Sequence, residues 1–150
     1  FNFNFVQFDN NQFVGPLASF TGAAQGINKS ITNNLFYQAG STTTSPITIG
    51  SVGTNIINNR FYDDRASLVP TYVIKYSAAN TTSLIVLDWT IAGNTVESIN
   101  SDYGFFFSLT GGSSNYGIQN IRFRGNDISN CGKGIEFASS SDRKSTRLNS

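Results

Sequence analysis

Two adjacent carboxylates, Asp63 and Asp64, lie between Arg60 and Arg65 and form the densest charge cluster of the sequence. Hydrolysis of a glycosidic bond generally needs two carboxyl groups roughly 5 to 10 Å apart. Neighbouring side chains of a strand point to opposite faces, so this pair could cooperate only on a turn. The alternative is a solvated turn whose carboxylates form ion pairs with the arginines. These four residues are the catalytic candidates of the chain.

Other reactive residue types are scarce. The sequence has no histidine and one cysteine, Cys131, which excludes a zinc site of the usual ligand types and an intrachain disulfide. We therefore predict no metal site, and no cofactor is evident. Cys131 is either a small buried residue or a reactive thiol. The glycine-rich segment 111–117 lacks the spacing of a phosphate-binding loop, so we interpret it as a flexible connection.

The composition favours strands and turns. Hydrophobic residues make up 39% of the 150 residues and charged residues only 13%, whereas Asn, Ser, Thr and Gly are abundant. This balance excludes an all-α protein, and the hydrophobic content argues against a disordered chain. The longest apolar run, at 84–87, is too short to span a membrane.

A repeat organises the chain. Five segments share an apolar residue, any residue, Asn or Gly, an invariant Asn, any residue and a second apolar residue. The invariant residues, which we call the asparagine ladder, are Asn11, Asn34, Asn59, Asn94 and Asn126. They recur at intervals of roughly 23 to 35 residues, which is the length of one coil in a solenoid.

Positions around the ladder alternate as strands do. The third position before each ladder Asn and the second after it are always apolar, and the positions beside these are almost always polar. The fifth position before it agrees less well, because Lys29 and Thr54 do not suit an inward site. A further strand is predicted in each coil, at 17–20, 46–49, 71–76, 104–107 and 134–137. Three strands per coil predict a parallel β-solenoid.

The ladder has a physical reason. A corner between two strands usually needs one residue with a positive φ, which Asn and Gly tolerate best. Coils stacked about 4.8 Å apart would let equivalent Asn amides hydrogen-bond along the axis. The alternative is that Asn simply marks ordinary turns.

The five repeat segments, which together cover residues 6–137, resemble the repeats of right-handed parallel β-helix proteins, the pectate-lyase-like family. In that family such an Asn ladder lines one turn. The resemblance implies an all-β fold, a right-handed parallel β-helix of about five coils without its caps, covering residues 1–141. It also implies an extracellular or cell-surface location. The family includes polysaccharide lyases, glycoside hydrolases, phage tailspikes and adhesins, so the fold does not fix the function.

The resemblance implies a structural and binding module, glycan-binding or adhesin-like, with a polysaccharide or a host or cell-surface glycan as partner. The alternative is a polysaccharide lyase or glycoside hydrolase whose catalytic coils lie partly outside this sequence, with calcium only for a lyase. The Asn-Thr-Asp and Gly-His-Gly segments expected of pectin-degrading hydrolases are missing, as is the arginine-bearing motif of pectate lyases.

Two tyrosines are the candidate ligand-binding residues. Tyr37 and Tyr62 both stand three positions after a ladder Asn, on the outward parity of successive coils. Amphipathic rings with polar tips suit contact with sugars or partner proteins. Alternatively, the loop at 40–45 covers them. Longer loops predicted at 65–70, 77–83 and 108–116 form a second candidate surface.

The last nine residues differ from the rest. Residues 142–150 can be reverse-translated into a common sequencing-adapter oligonucleotide, so we interpret them as a disordered, non-native tail; the alternative is a natural basic tail. Removing them takes away three positive charges and one negative charge, which changes the net charge from +1 to −1. No basic stripe then remains to predict nucleic-acid binding. Without caps, residues 1–141 are expected to associate end to end.

Overall fold

The structure is a computed structural model that describes residues 6–16, 18, 20–22, 29–50, 52–67, 69–79, 85–98, 102–110 and 118–139. Their regular elements are all β-strands, so the predicted all-β class is confirmed. In chain order the strands are β1 (Val6–Asp9), β2 (Gln12–Val14), β3 (Phe20–Gly22), β4 (Lys29–Thr32), β5 (Leu35–Tyr37), β6 (Ile47–Ile49), β7 (Thr54–Ile57), β8 (Arg60–Asp63), β9 (Tyr72–Ala79), β10 (Ile85–Ala92), β11 (Thr95–Ser98), β12 (Tyr103–Thr110), β13 (Ile118–Arg124), β14 (Asp127–Ser129) and β15 (Lys133–Ser139).

Every third strand joins the same parallel sheet. Sheet A has the order β1-β4-β7-β10-β13, sheet B the order β2-β5-β8-β11-β14, and sheet C the order β3-β6-β9-β12-β15. Each coil therefore contributes one strand to each of three five-stranded sheets. This is the arrangement of a β-solenoid, and it confirms the three strands per coil that the repeat predicted.

Equivalent positions of the repeat lie directly above one another. Phe13 pairs with Phe36, and Phe36 with Phe61, along sheet B. Their ring centroids are 4.7 and 4.8 Å apart and the planes differ by 10°. Because this spacing equals the separation of hydrogen-bonded strands, the rings stack without shifting the backbone.

The interior is mostly apolar, but seven polar or charged residues of the described part are buried as well: Lys29, Asn34, Ser45, Thr54, Asn59, Asp63 and Asn94. Ile31, Ile56 and Ile91 form one buried stack. Lys29 and Thr54, whose residue types do not suit an inward site, are nevertheless buried, at 3% and 0% exposure, so the inward position of this column holds in spite of them. Burial lowers the pKa of the Lys29 ammonium, since desolvation disfavours the charged form.

The corner between sheets A and B depends on a left-handed residue. The position before each ladder Asn has a φ near +60°, as the Asn-or-Gly pattern predicted. These residues are Asn10 (φ 56°), Asn33 (φ 56°), Asn58 (φ 55°), Gly93 (φ 63°) and Gly125 (φ 56°). At Gly93 a Cβ atom would also meet the end of the Asn58 side chain, which would have to shift.

Several predicted boundaries change. β9 continues to Ala79 and β12 to Thr110, so the loops predicted at 77–83 and 108–116 start later than expected. The strand predicted at 17–20 begins only at Phe20. Segments 80–83 and 111–117 and the tail 142–150 lie outside the described residues. The described residues include no helix long and apolar enough to cross a bilayer.

Candidate functional site

The ladder asparagines form a continuous chain of hydrogen bonds. Asn34 Oδ1 accepts from the backbone N and from Nδ2 of Asn11, at 2.9 and 3.2 Å. The same pair of bonds joins Asn34 to Asn59, Asn59 to Asn94, and Asn94 to Asn126. Because each accepting amide oxygen already holds two donors, the ladder stabilises the corner and leaves those oxygens no role in ligand binding.

A second set of bonds ties the ladder to the strands of sheet A. Asn59 Nδ2 donates to the carbonyl oxygen of Ile31, in the preceding coil, at 2.8 Å. Equivalent bonds run from Asn34 to Phe8, from Asn94 to Ile56 and from Asn126 to Ile91. Both amide hydrogens of Asn34, Asn59 and Asn94 are therefore used, which accounts for the burial of these three side chains.

The two candidate tyrosines meet on the outer face of sheet B. Tyr37 and Tyr62 are register partners in β5 and β8, with ring centroids 5.8 Å apart and planes 6° from parallel. Val14 precedes them in the same row and is 61% exposed. We call Val14, Tyr37 and Tyr62 the tyrosine stripe. Both tyrosines remain partly exposed.

The loop at 40–45, which the alternative placed over the tyrosines, is attached to a different sheet. Ser41 and Thr44 close a short turn through two backbone hydrogen bonds, of 2.7 and 3.0 Å. The Thr71 hydroxyl, immediately before β9, donates to the Thr42 carbonyl oxygen at 3.1 Å. The turn is thus attached on the side of sheet C.

Arg60 lies beside the tyrosine stripe and forms an ion pair there. Its guanidinium lies 5.8 Å from the centroid of the Tyr62 ring and forms a 3.2 Å ion pair with Glu97. Glu97 is the register partner of Tyr62 in β11. One end of the stripe therefore carries a paired positive and negative charge, which the sequence cluster around Asp63 did not indicate.

The predicted carboxylate pair is divided between two environments. Asp63 ends β8, is 5% exposed, and accepts a hydrogen bond of 2.9 Å from Arg65 Nε. Asp64 is exposed and accepts a hydrogen bond of 2.7 Å from Gln38 Nε2. The two carboxylates therefore have different partners. Asp63 forms the ion pair with Arg65 that the alternative expected, but it is buried at the end of a strand and does not lie on a solvated turn.

Arg65 also links consecutive coils. Its Nη2 donates to the carbonyl oxygen of Gly40 at 3.2 Å, and hydrogen bonding to Asp63 raises the pKa of its guanidinium. Since the carboxylate and guanidinium are mutually engaged in a partly buried site, their arrangement supports the fold. Cys131 is half-buried and packs against the apolar core.

A groove on sheet C was missed by the sequence reasoning. It has a volume of about 330 Å³ and lies between the segment 41–45 and the outward side chains of β6 and β9. Its lining residues are Ser41, Thr42, Thr43, Thr44, Ser45, Thr48, Thr71, Tyr72 and Lys75. The only feature of the sequence that could have indicated the groove is the Ser-Thr-Thr-Thr-Ser run at 41–45, which lies between two predicted strands and has no equivalent in the repeat.

Among the described residues, no three cysteine or carboxylate side chains lie close enough together to hold a metal ion. Comparison with known protein families, curated proteins and solved structures finds no match for this chain. The tyrosine stripe and the groove are the two candidate binding surfaces of the described residues.

Proposed function

We propose that this chain is a structural and binding module of a secreted or cell-surface protein, and that it binds glycans in the manner of an adhesin. We further propose that its coils form a right-handed parallel β-helix of the pectate-lyase-like type. The three parallel sheets and the hydrogen-bonded ladder support this, and parallel crossover connections are right-handed in about 98% of cases.

The tyrosine stripe is the observation that carries the glycan proposal. Its parallel rings, 5.8 Å apart, present a partly exposed apolar strip with phenolic hydroxyls at the tips. A sugar has the matching character, with apolar C–H faces and a hydroxyl rim. Arg60 and Glu97 add a donor and an acceptor at one end of the strip.

The alternative, a lyase or hydrolase, has no comparable support among the described residues, because Asp63 and Asp64 are engaged by different side chains. Assays for reducing sugars and for unsaturated products, run on the complete protein with acidic and neutral polysaccharides, would detect such an activity.

A glycan array tests the proposed function. The double substitution Tyr37→Ala with Tyr62→Ala should weaken binding about fivefold or more, since each ring contributes roughly 0.5 to 1.5 kcal/mol of contact. Gln12→Ala is the matched control, because Gln12 is an exposed outward residue of the same sheet. Unchanged binding by the double variant, with an unchanged circular dichroism melt, would contradict the proposal; so would a parent protein that binds no glycan.

A further inference from the structure

We propose that the groove between segment 41–45 and sheet C is a second binding site, and that it takes a saccharide bearing a single oxyanion group, a carboxylate or a sulfate. This inference does not depend on the tyrosine stripe, which lies on the outer face of a different sheet.

One wall of the groove is held in place before any ligand arrives. The turn at 41–44 is closed by its own backbone bonds and anchored to Thr71. Gly40 enters the turn with a φ of 79°, and a Cβ atom there would overlap the Thr44 carbonyl oxygen. Because the turn is fixed at both its base and its tip, little ordering entropy is lost when a ligand binds.

The floor comes from outward residues of sheet C. Thr48 of β6 and Lys75 of β9 are register partners, so their side chains lie side by side on adjacent coils. Tyr72 lies on the same strand as Lys75, three residues earlier. The resulting volume, about 330 Å³, is at the lower end of the range of roughly 300 to 1,000 Å³ for small-ligand sites and suits one or two sugar rings.

Lys75 gives the groove its charge. It is the one charged residue among the nine that line the groove. Its ammonium lies 4.9 Å from the centroid of the Tyr72 ring, and the described residues place no carboxylate within ion-pair distance of it. A ring contact orients an ammonium without neutralising it, so the positive charge remains available to an anion.

The remaining lining groups indicate a sugar. Seven of the nine lining residues are serine or threonine, and hydroxyls both donate and accept hydrogen bonds, as sugar hydroxyls do. Thr44 and Thr48 direct no side-chain hydrogen bond to other described residues. A phosphate monoester usually draws several charged donors, whereas one ammonium among neutral hydroxyls matches one singly charged group.

The test is a calorimetric titration with three probes: glucuronate, glucose 6-sulfate and glucose. We expect roughly millimolar binding of at least one charged sugar and at least tenfold weaker binding of glucose, with an affinity that falls as salt rises. The charged sugar that binds more tightly identifies the oxyanion. Comparable binding of glucose, or no binding of any probe, would overturn the proposal.

Variants assign the effect to the groove. Lys75→Gln should remove the preference for the charged sugar, and Lys75→Arg should restore it in part, which separates loss of charge from loss of fold. Lys133→Gln is the matched control, because Lys133 is an exposed lysine of the same sheet that is paired with Glu136. Equal losses in Lys75→Gln and Lys133→Gln would overturn the proposal. The double tyrosine variant should bind the charged sugar normally, so failure at one site is distinguishable from failure at the other.

Discussion

At the scale of single residues, the ladder makes a position-dependent prediction. Asn59 Oδ1 accepts two hydrogen bonds from Asn34, and Asn59 Nδ2 donates to Ile31 in a buried site. Asn59→Ala should therefore lower the free energy of unfolding by roughly 1 to 3 kcal/mol, because buried donors lose their partners.

Asn11→Ala is the control for this change. Asn11 is exposed, and in Asn11→Ala its backbone N still donates to Asn34 Oδ1, so the buried acceptor keeps one partner. Urea denaturation of the two variants should show a clearly smaller loss for Asn11→Ala. Equal or negligible losses would mean that stacking contributes little to stability.

A second residue-scale prediction concerns acid. Hydrogen bonds from the Thr32 hydroxyl, at 2.6 Å, and from the Asn33 amide, at 2.8 Å, lower the pKa of the Asp9 carboxyl below its usual 3.8. The folded state therefore prefers the ionised carboxylate. Its contribution to stability is present above pH 3.8 and is lost as the pH falls through the lower, folded-state pKa.

Carboxyl NMR titration measures this shift directly. In Thr32→Val the pKa of Asp9 should move up towards its usual value, since the larger of the two hydrogen-bond effects is removed. An unchanged Asp9 titration would show that these bonds do not form in solution.

At the scale of elements, the two arginines of the charge cluster should contribute differently to the free energy of unfolding. Arg65 holds the nearly buried Asp63 and reaches the Gly40 carbonyl oxygen, so it joins the segment after β8 to the segment after β5. Arg65→Ala should cost about 3 kcal/mol, because it leaves a buried carboxylate without its partner.

Arg60→Ala should cost less than about 1 kcal/mol, because its ion pair with Glu97 is exposed and solvent weakens it. Chemical denaturation of both variants compares them directly. Similar losses would mean that the Arg65 link does not secure the coil.

Part of this structure could be predicted from the sequence. Strand parity and the spacing of the ladder were enough to predict three parallel strands per coil, because each repeat carries the same inward pattern. Burial of Lys29 was not predictable. Its position in the strand directs the side chain inward, but the charge of a lysine argues against an inward site. The link from Arg65 to Gly40 and the groove beside segment 41–45 depend on how a connection folds back, which has no periodic signal.

At the scale of the whole molecule, the stability of each coil depends mainly on its contacts with the coils directly above and below it. Each strand pairs only with its equivalents in the adjacent coils, so an interior coil is covered on both sides. Among the described strands, β13, β14 and β15 each have one neighbour. In β15 the apolar side chains of Ile135 and Phe137 are 36% and 39% exposed. Because β15 has a neighbour on one side only within the described part of the chain, these two residues form an apolar end surface of the stack.

We predict that this end surface makes the 150-residue chain self-associate. Burying apolar area and pairing a free strand edge both favour contact between copies. Phe137→Asp should therefore shift sedimentation velocity profiles towards the monomer at concentrations where the parent forms larger species. Val14→Asp is the control, because Val14 is an even more exposed apolar residue but lies on the outer face of sheet B. If the two variants behave alike, association arises from general surface hydrophobicity; if the parent is monomeric at high concentration, the end surface does not drive contact.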